Sequence, residues 1–380
     1  MLQTRWQRGA DRPQQKLILL LRAIFFIQQT LITRLLNNPN RKGVVYFKKG
    51  VFQMVVQQYF RTSMKKVNGD LLTPISIFQR LQGERKFLLE SSSKYDGNGR
   101  YSFIGVNPRK TYVGTDDQLL DHTHHSKKAY TYEGELIQLL KQAMPRISSH
   151  TEYPFTGGGI GYIHALQKPL PELQFHVYDT LVIFDHLTDE IAVFHTNIEA
   201  EQVEPNINQL IEQLFTTPTP EQSAYTLQHV EKDENERYRA QFTGDALSLY
   251  RKMRIEHAAP YMYYVEFDDC TVIGTSQSNY MQVRDGNISV TNDAPSIERY
   301  STENSVQQLA NVTTGTLSPT LHAIDVVKGL LPAQGMIGYI GFNGQVDFTT
   351  PEQTIIIQGN VAQLHSKADE EVPFHSLLKG

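Results

Sequence analysis

The chain of 380 residues contains a single cysteine, Cys270. One thiol excludes an internal disulfide framework and fits a reducing compartment, so a cytoplasmic setting is expected. No second ligand or base is spaced near Cys270, which reads as a small core residue rather than a nucleophile. Long apolar runs are also missing. The run 17–27 is interrupted by Arg22 and falls short of the roughly 20 residues that a bilayer-spanning helix needs, and no membrane span is expected. Acidic residues are scarce at the start, where Asp11 alone stands against thirteen Lys and Arg ahead of Asp70. A secretory signal would need a small-residue cleavage pattern after Phe25-Phe26-Ile27-Gln28, and none follows. A basic amphipathic surface helix is a second reading of this region. The preferred one treats residues 1–66 as a basic extension outside the core, with Met64-Lys65-Lys66-Val67 resembling a natural start. Over the whole chain a net charge of -4, with 40% apolar and 20% charged residues, gives no bias toward nucleic acid and is ordinary for a soluble globular protein.

What is present is most informative between Leu71 and Val106. Thr73 is a good N-cap, and Pro74 at the first helical position loses no bond that a helix would have made. Ile75, Ile77, Phe78 and Leu81 continue with helical spacing, and the helix is expected to stop near Gly83. Residues 86–91, Lys-Phe-Leu-Leu-Glu-Ser, read as a short strand. Asp96-Gly97-Asn98-Gly99 reads as a turn, and Arg100-Tyr101-Ser102-Phe103-Ile104-Gly105 as the returning partner of an antiparallel pair. Local pattern alone fits a helix and hairpin of an ordinary α+β domain.

Thr73-Pro74, Leu88-Leu89-Glu90-Ser91 and Gly99–Gly105, in that order and spacing, resemble the amino-terminal domain of anthranilate synthase component I, the chorismate-using enzyme of tryptophan biosynthesis. The resemblance runs, with gaps, from about Val67 to the C-terminus. It implies an α+β fold of antiparallel β-sheets flanked by helices. A regulatory-type domain would occupy residues 67–225 and a truncated chorismate-binding domain 226–380. Core patterns are shared with aminodeoxychorismate synthase component I, and Leu-Leu-Glu-Ser favours the tryptophan enzyme.

Several further segments carry readings of their own. His122, His124 and His125 have ligand-type side chains, but neighbouring histidines in a loop rarely share one face with a closed second shell. A solvated loop is expected there. Glu133–Met144, ahead of Pro145, reads as a helix. Gly157-Gly158-Gly159-Ile160-Gly161-Tyr162 is not a phosphate loop, because no helix opens after it and no Walker lysine follows. Glycines within a strand instead allow close backbone approach, and this run also resembles a structural segment of the family. Residues 178–187 and 191–195 read as strand, turn and strand, 207–215 as a helix, and 216–221 as a linker. Residues 231–250, of mixed charge, read as helical. Pro260–Phe267 and Thr271–Gly274 read as strands.

Making anthranilate requires binding a dicarboxylate, adding ammonia and eliminating pyruvate. The resemblance implies Mg²⁺ held by acidic side chains, an arginine fork and a positioned histidine. Much of that set is missing. The family's Gly-Ser/Thr-Ser-Pro-Glu is Gly274-Thr275-Ser276-Gln277-Ser278 here. The block that supplies the histidine and a metal carboxylate is absent after Val290, and the match resumes at Val312 and runs through His322 to Ala333. The arginine expected in a late strand falls on Gln353. The terminal glycine loop is replaced by Lys367-Ala368-Asp369. Losing the metal carboxylates and the histidine would remove the electrostatic stabilisation of the reaction, so no catalytic residue or metal ligand is assigned and an impaired or inactive enzyme is expected. Deletions of this size predict shortened strands or exposed sheet edges within 280–360.

The half of the pattern tied to feedback control is better kept. The resemblance implies a tryptophan-binding site formed by Ser91, Pro260, Tyr261 and Met262, with His257 at a position that is usually asparagine. On the residues alone, Tyr261, Tyr263 and Tyr264 are equally read as strand positions facing core and solvent in turn. Two functions follow from the resemblance: a lyase acting on chorismate with a glutamine amidotransferase subunit, or a non-catalytic remnant or regulator that binds tryptophan.

Overall fold

The computed structural model describes residues 41–48, 51–58, 62–91, 99–147, 152–164, 166, 170–199, 205–221, 223–232, 237–284, 287–290, 314–316, 335–366 and 377. The 17–27 run, residues 96–98 of the expected turn, the 322–333 segment and 367–369 lie outside them. The chain divides into two compact units, residues 1–61 with 199–201, and residues 62–198 with 202–380. Within the first, Arg41–Lys48 and Val51–Gln58 form an antiparallel hairpin with Arg41 opposite Gln58.

Among the described residues, the second unit is built from two large sheets with antiparallel pairing throughout, and four short helices. One sheet has eleven strands. Their order is Tyr225–Lys232, Tyr238–Gly244, Val361–Ser366, Gln353–Gln358, Thr271–Ser276, Tyr261–Glu266, Phe87–Ser91, Tyr101–Gly105, Thr180–Asp185, Glu190–Thr196 and Thr62–Asn68. The other has ten, in the order Thr314–Thr316, Asn287–Val290, Met281–Arg284, Val346–Thr349, Met336–Gly341, Gly158–Ile163, Leu173–Tyr178, Lys110–Thr115, Gln118–Thr123 and Lys128–Glu133. Four strands between residues 280 and 360 have only three or four residues each. This is the expected α+β architecture of antiparallel sheets. Among the described residues no helix is long and apolar enough to cross a membrane.

The helix over Pro74–Arg80 starts as its residues dictate. Thr73 Oγ1 accepts from the Ser76 backbone N–H, and Ser76 Oγ closes the reciprocal bond of a capping box. Its face, Ile75, Ile77 and Phe78, packs with Leu88, Ile104, Tyr250 and Tyr264 into a core on the helix side of the eleven-stranded sheet. A second core holds Phe87, Phe103, Phe155, Tyr162, Tyr263 and Tyr339, contributed by both sheets. Strand residues therefore alternate between two apolar environments. Tyr263 and Tyr264 are 2% and 4% exposed on opposite faces, so neither meets solvent as simple alternation predicts.

Two local expectations change. Residues 231–250 are not one helix but the hairpin Tyr225–Lys232 and Tyr238–Gly244, followed by a helix over Ala246–Glu256. Ala240 and Phe242 are buried while Arg239, Gln241 and Thr243 are exposed, a period of two that the mixed charge obscured. Asp245 then caps the helix by accepting from the Leu247 and Ser248 N–H groups. The histidine cluster is not a simple loop. His122 lies in the Gln118–Thr123 strand, and His124, in the turn, hydrogen-bonds Thr111 Oγ1 at 2.7 Å. Its burial, with Arg85 and His122 nearby, pulls the imidazole down to about 4.

The glycine-rich strand behaves as its composition predicts. Gly161 and Gly338 stand opposite one another in neighbouring strands. A Cβ on either would fall 1.9 Å from a backbone oxygen, that of Gln174 or of Asp347. Cys270 is free and buried, and burial raises its thiol well above the ordinary range.

Candidate functional site

The strand Phe87–Ser91 pairs with Tyr261–Glu266 so that Ser91 stands opposite Tyr261 and Glu90 opposite Met262. These two strands, Tyr101–Gly105 and the facing strands Met281–Arg284, Met336–Gly341 and Val346–Thr349 enclose a cavity of about 280 Å³. Ser91, Tyr261 and Met262, three of the four residues expected to bind tryptophan, line it together. Pro260 sits one residue before the strand and is not among the lining residues. His257, at the expected asparagine position, caps the C-terminus of the Ala246–Glu256 helix, donating its N–H to Met253 O at 2.7 Å. Gln353, at the expected arginine position, begins a strand opposite Thr275 and Ser366 and does not line the cavity.

The walls are apolar and aromatic, with Phe103, Met262, Tyr263, Ile337 and Tyr339 among them. Charged groups sit at three places. Arg284 Nη2 donates to Asp347 Oδ2 at 2.6 Å, and Gln282 Nε2 donates to the same oxygen at 3.1 Å. The Arg284 guanidinium lies 5.4 Å from the Tyr339 ring centroid, within the range of a cation–π contact. Burial pushes the Asp347 carboxyl upward, against the opposing charge of Arg284. Tyr261 is pushed up to about 12 by burial and then by Asp347, so its hydroxyl keeps its proton and remains a donor.

Glu90 is 7% exposed and accepts from Tyr250 Oη at 2.6 Å, with Arg254 Nε at 3.0 Å. Burial raises its carboxyl, and Arg254 and Tyr250 oppose that rise. Arg100 forms a two-pronged bond to Asp185, with Nε–Oδ1 at 3.0 Å and Nη2–Oδ2 at 2.7 Å. Ser91 Oγ donates to Tyr101 O at 2.6 Å, tying the end of one strand to the start of the next.

This arrangement suits one small molecule with a flat apolar part and charged ends of both signs. Pockets for such ligands commonly measure about 300–1,000 Å³, and this one lies at the lower bound. Among the described residues no group of three His, Cys, Asp or Glu is placed to hold a metal ion. Gln282-Val283-Arg284 carries no recognisable pattern, so the sequence does not mark Arg284 as a site residue. Glu90 lies inside the Leu-Leu-Glu-Ser motif, but nothing local marks it as a buried carboxylate, or Asp347 as the partner of an arginine.

No protein-family model matches the chain. It is 22% identical to anthranilate synthase component 1 of Lactococcus lactis subsp. lactis (strain IL1403), over 82% of this chain and 96% of that one. That alignment of 444 positions is longer than this chain, which therefore faces part of it with gaps. Identity to anthranilate synthase component 1 of Bacillus subtilis (strain 168) is 23%, over 79% and 85% of the two chains. The crystal structure of anthranilate synthase component I from Streptococcus pneumoniae TIGR4 superposes with a TM-score of 0.55 at 19% identity, covering 82% of this chain and 96% of that one.

Proposed function

We propose that this chain, a homologue of anthranilate synthase component I, retains the tryptophan-binding function of that family and is impaired in the conversion of chorismate to anthranilate. One observation carries the reading: pairing of Ser91 with Tyr261 draws the Leu-Leu-Glu-Ser and Pro-Tyr-Met segments to a single aromatic-walled cavity. The indole ring would lie among Phe103, Met262 and Tyr339. The zwitterionic end would meet the Arg284–Asp347 pair and Glu90, which present both signs of charge. The impairment rests on the sequence, where the residues expected to hold Mg²⁺, transfer protons and grip the substrate carboxylate are replaced or missing. A glutamine amidotransferase subunit and a cytoplasmic setting accompany the reading as features of the family.

The test has two arms. The purified chain with chorismate, Mg²⁺ and ammonium should give no anthranilate fluorescence at high protein concentration; fluorescence would refute the impairment. Tryptophan should raise the melting temperature of the native chain and leave that of Ser91→Ala unmoved. No shift in the native chain would refute binding.

A further inference from the structure

The ten-stranded sheet ends on the strand Lys128–Glu133, whose outer edge has no neighbour among the described residues. All six residues are exposed, Tyr130 by 53% and Tyr132 by 43%. The strand pairs with Gln118–Thr123 at six consecutive positions without a bulge and carries no proline. A regular, open edge of this kind is a template for another strand, and folded proteins normally blunt it.

The other described edges of the two large sheets are blunted. Thr62–Asn68 carries Lys65 and Lys66, whose amines donate to Asn208 and Glu152 at 2.7 and 2.6 Å. Tyr225–Lys232 is interrupted by a register shift between Gln228 and Glu231. Thr314–Thr316 is three residues long. Lys128–Glu133 has none of these devices except a lysine at its first position.

We propose that this edge is a dimer interface, on which a second copy of the chain adds its own Lys128–Glu133 strand in antiparallel register to continue the sheet. The occupant is argued from charge. The strand begins with Lys128, just after the turn residue Lys127, and ends with Glu133, so its basic and acidic ends meet when it is reversed. A two-fold axis perpendicular to a continuous sheet leaves each side chain on its own face, so paired residues differ by an even number of positions. An axis through Tyr130 meets that condition. It sets Tyr130 against its own copy and Lys128 against the partner's Tyr132, and it brings Lys127, the turn residue just ahead of the strand, alongside the partner's Glu133. Aromatic, cation–aromatic and opposite-charge pairs are all favourable across antiparallel strands.

Sedimentation velocity of the full chain over a wide concentration range tests this. A reversible species of twice the monomer mass is expected. Glu133→Lys, which sets like charges against each other at both ends, should weaken dimerisation about tenfold or more while the melting temperature of the monomer is kept. The double variant Lys127→Glu/Glu133→Lys should restore it, because the swapped pair is complementary again. A monomer at every concentration overturns the proposal, as does a dimer indifferent to Glu133→Lys or a double variant that fails to recover. Amide-exchange protection, persisting in the monomer, of those N–H groups of residues 128–133 that point away from Gln118–Thr123 would show that another part of the chain covers the edge, and would also overturn it.

Discussion

Ser91 faces Tyr261 across an antiparallel strand pair, although the two belong to segments separated by nearly half of the chain. Ser91 Oγ is at the same time committed to Tyr101 O. Its hydroxyl thus positions the cavity wall and also lines the cavity, and these two roles can be separated by measurement.

Ser91→Ala should cost about 0.5–1.5 kcal/mol of stability, the net contribution of a hydrogen bond between neutral groups. Denaturant unfolding of the ligand-free chain measures that cost. A loss of several kcal/mol would mean that the strand end itself collapses, and the missing response to tryptophan could then no longer be assigned to the hydroxyl.

Arg284→Met should leave Asp347 mostly buried, with Gln282 as its remaining side-chain partner. The side chains of the pair are 26% and 15% exposed, so solvent moderates the penalty, and a loss of about 1.5–3 kcal/mol is expected for a hydrogen bond between charged groups. Arg284→Met/Asp347→Leu should recover part of it, since removing both partners leaves no unpaired charge. A double-mutant cycle showing no coupling would refute the ion pair.

Gly161→Val should unfold the chain or cost roughly 3 kcal/mol, the upper part of the range for overpacking. A Cβ there collides with the Gln174 carbonyl, which belongs to the paired backbone and cannot swing aside. Retention of native melting behaviour would show that the strands separate more easily than their spacing implies.

Acid should destabilise the fold through its histidines. Burial lowers His124, His164, His176 and His186 below the ordinary imidazole value, so between the unfolded and folded values the unfolded chain binds more protons. For His124 that window runs from about 6.5 down to about 4. Its contribution to stability is complete above the window, falls as pH decreases through it and is lost below. His124→Asn should flatten the fall in melting temperature over that window, and an unchanged slope would exclude His124 as a contributor.

Local rules were readable wherever neighbours in sequence decide the outcome. Thr73-Pro74 fixed a helix start, and the glycines at 157–161 announced a strand that another backbone approaches closely. The helical reading of 231–250 failed because its alternation is set by burial in the core and by pairing with the late strand Val361–Ser366, a partner that a local window does not contain. The cavity was half readable. Ser91, Tyr261 and Met262 sit in recognisable segments, whereas Arg284 acquires its meaning only from Asp347 in a strand from elsewhere in the chain. Electrostatic pairs of this kind have no periodicity to betray them.

The strand order has a consequence for how the molecule is made. Phe87–Ser91, among the first strands to leave a ribosome, is flanked by Tyr101–Gly105 and by Tyr261–Glu266, and Tyr238–Gly244 waits for Val361–Ser366. Nascent chains must therefore hold apolar surface open until translation is nearly finished, and contacts so remote along a polymer close slowly. Synthesis of this protein is expected to lean on holding chaperones, and a stop codon gained near residue 360 would remove the third of the eleven strands and part the two beyond it from the rest of the sheet, rather than merely trim its margin.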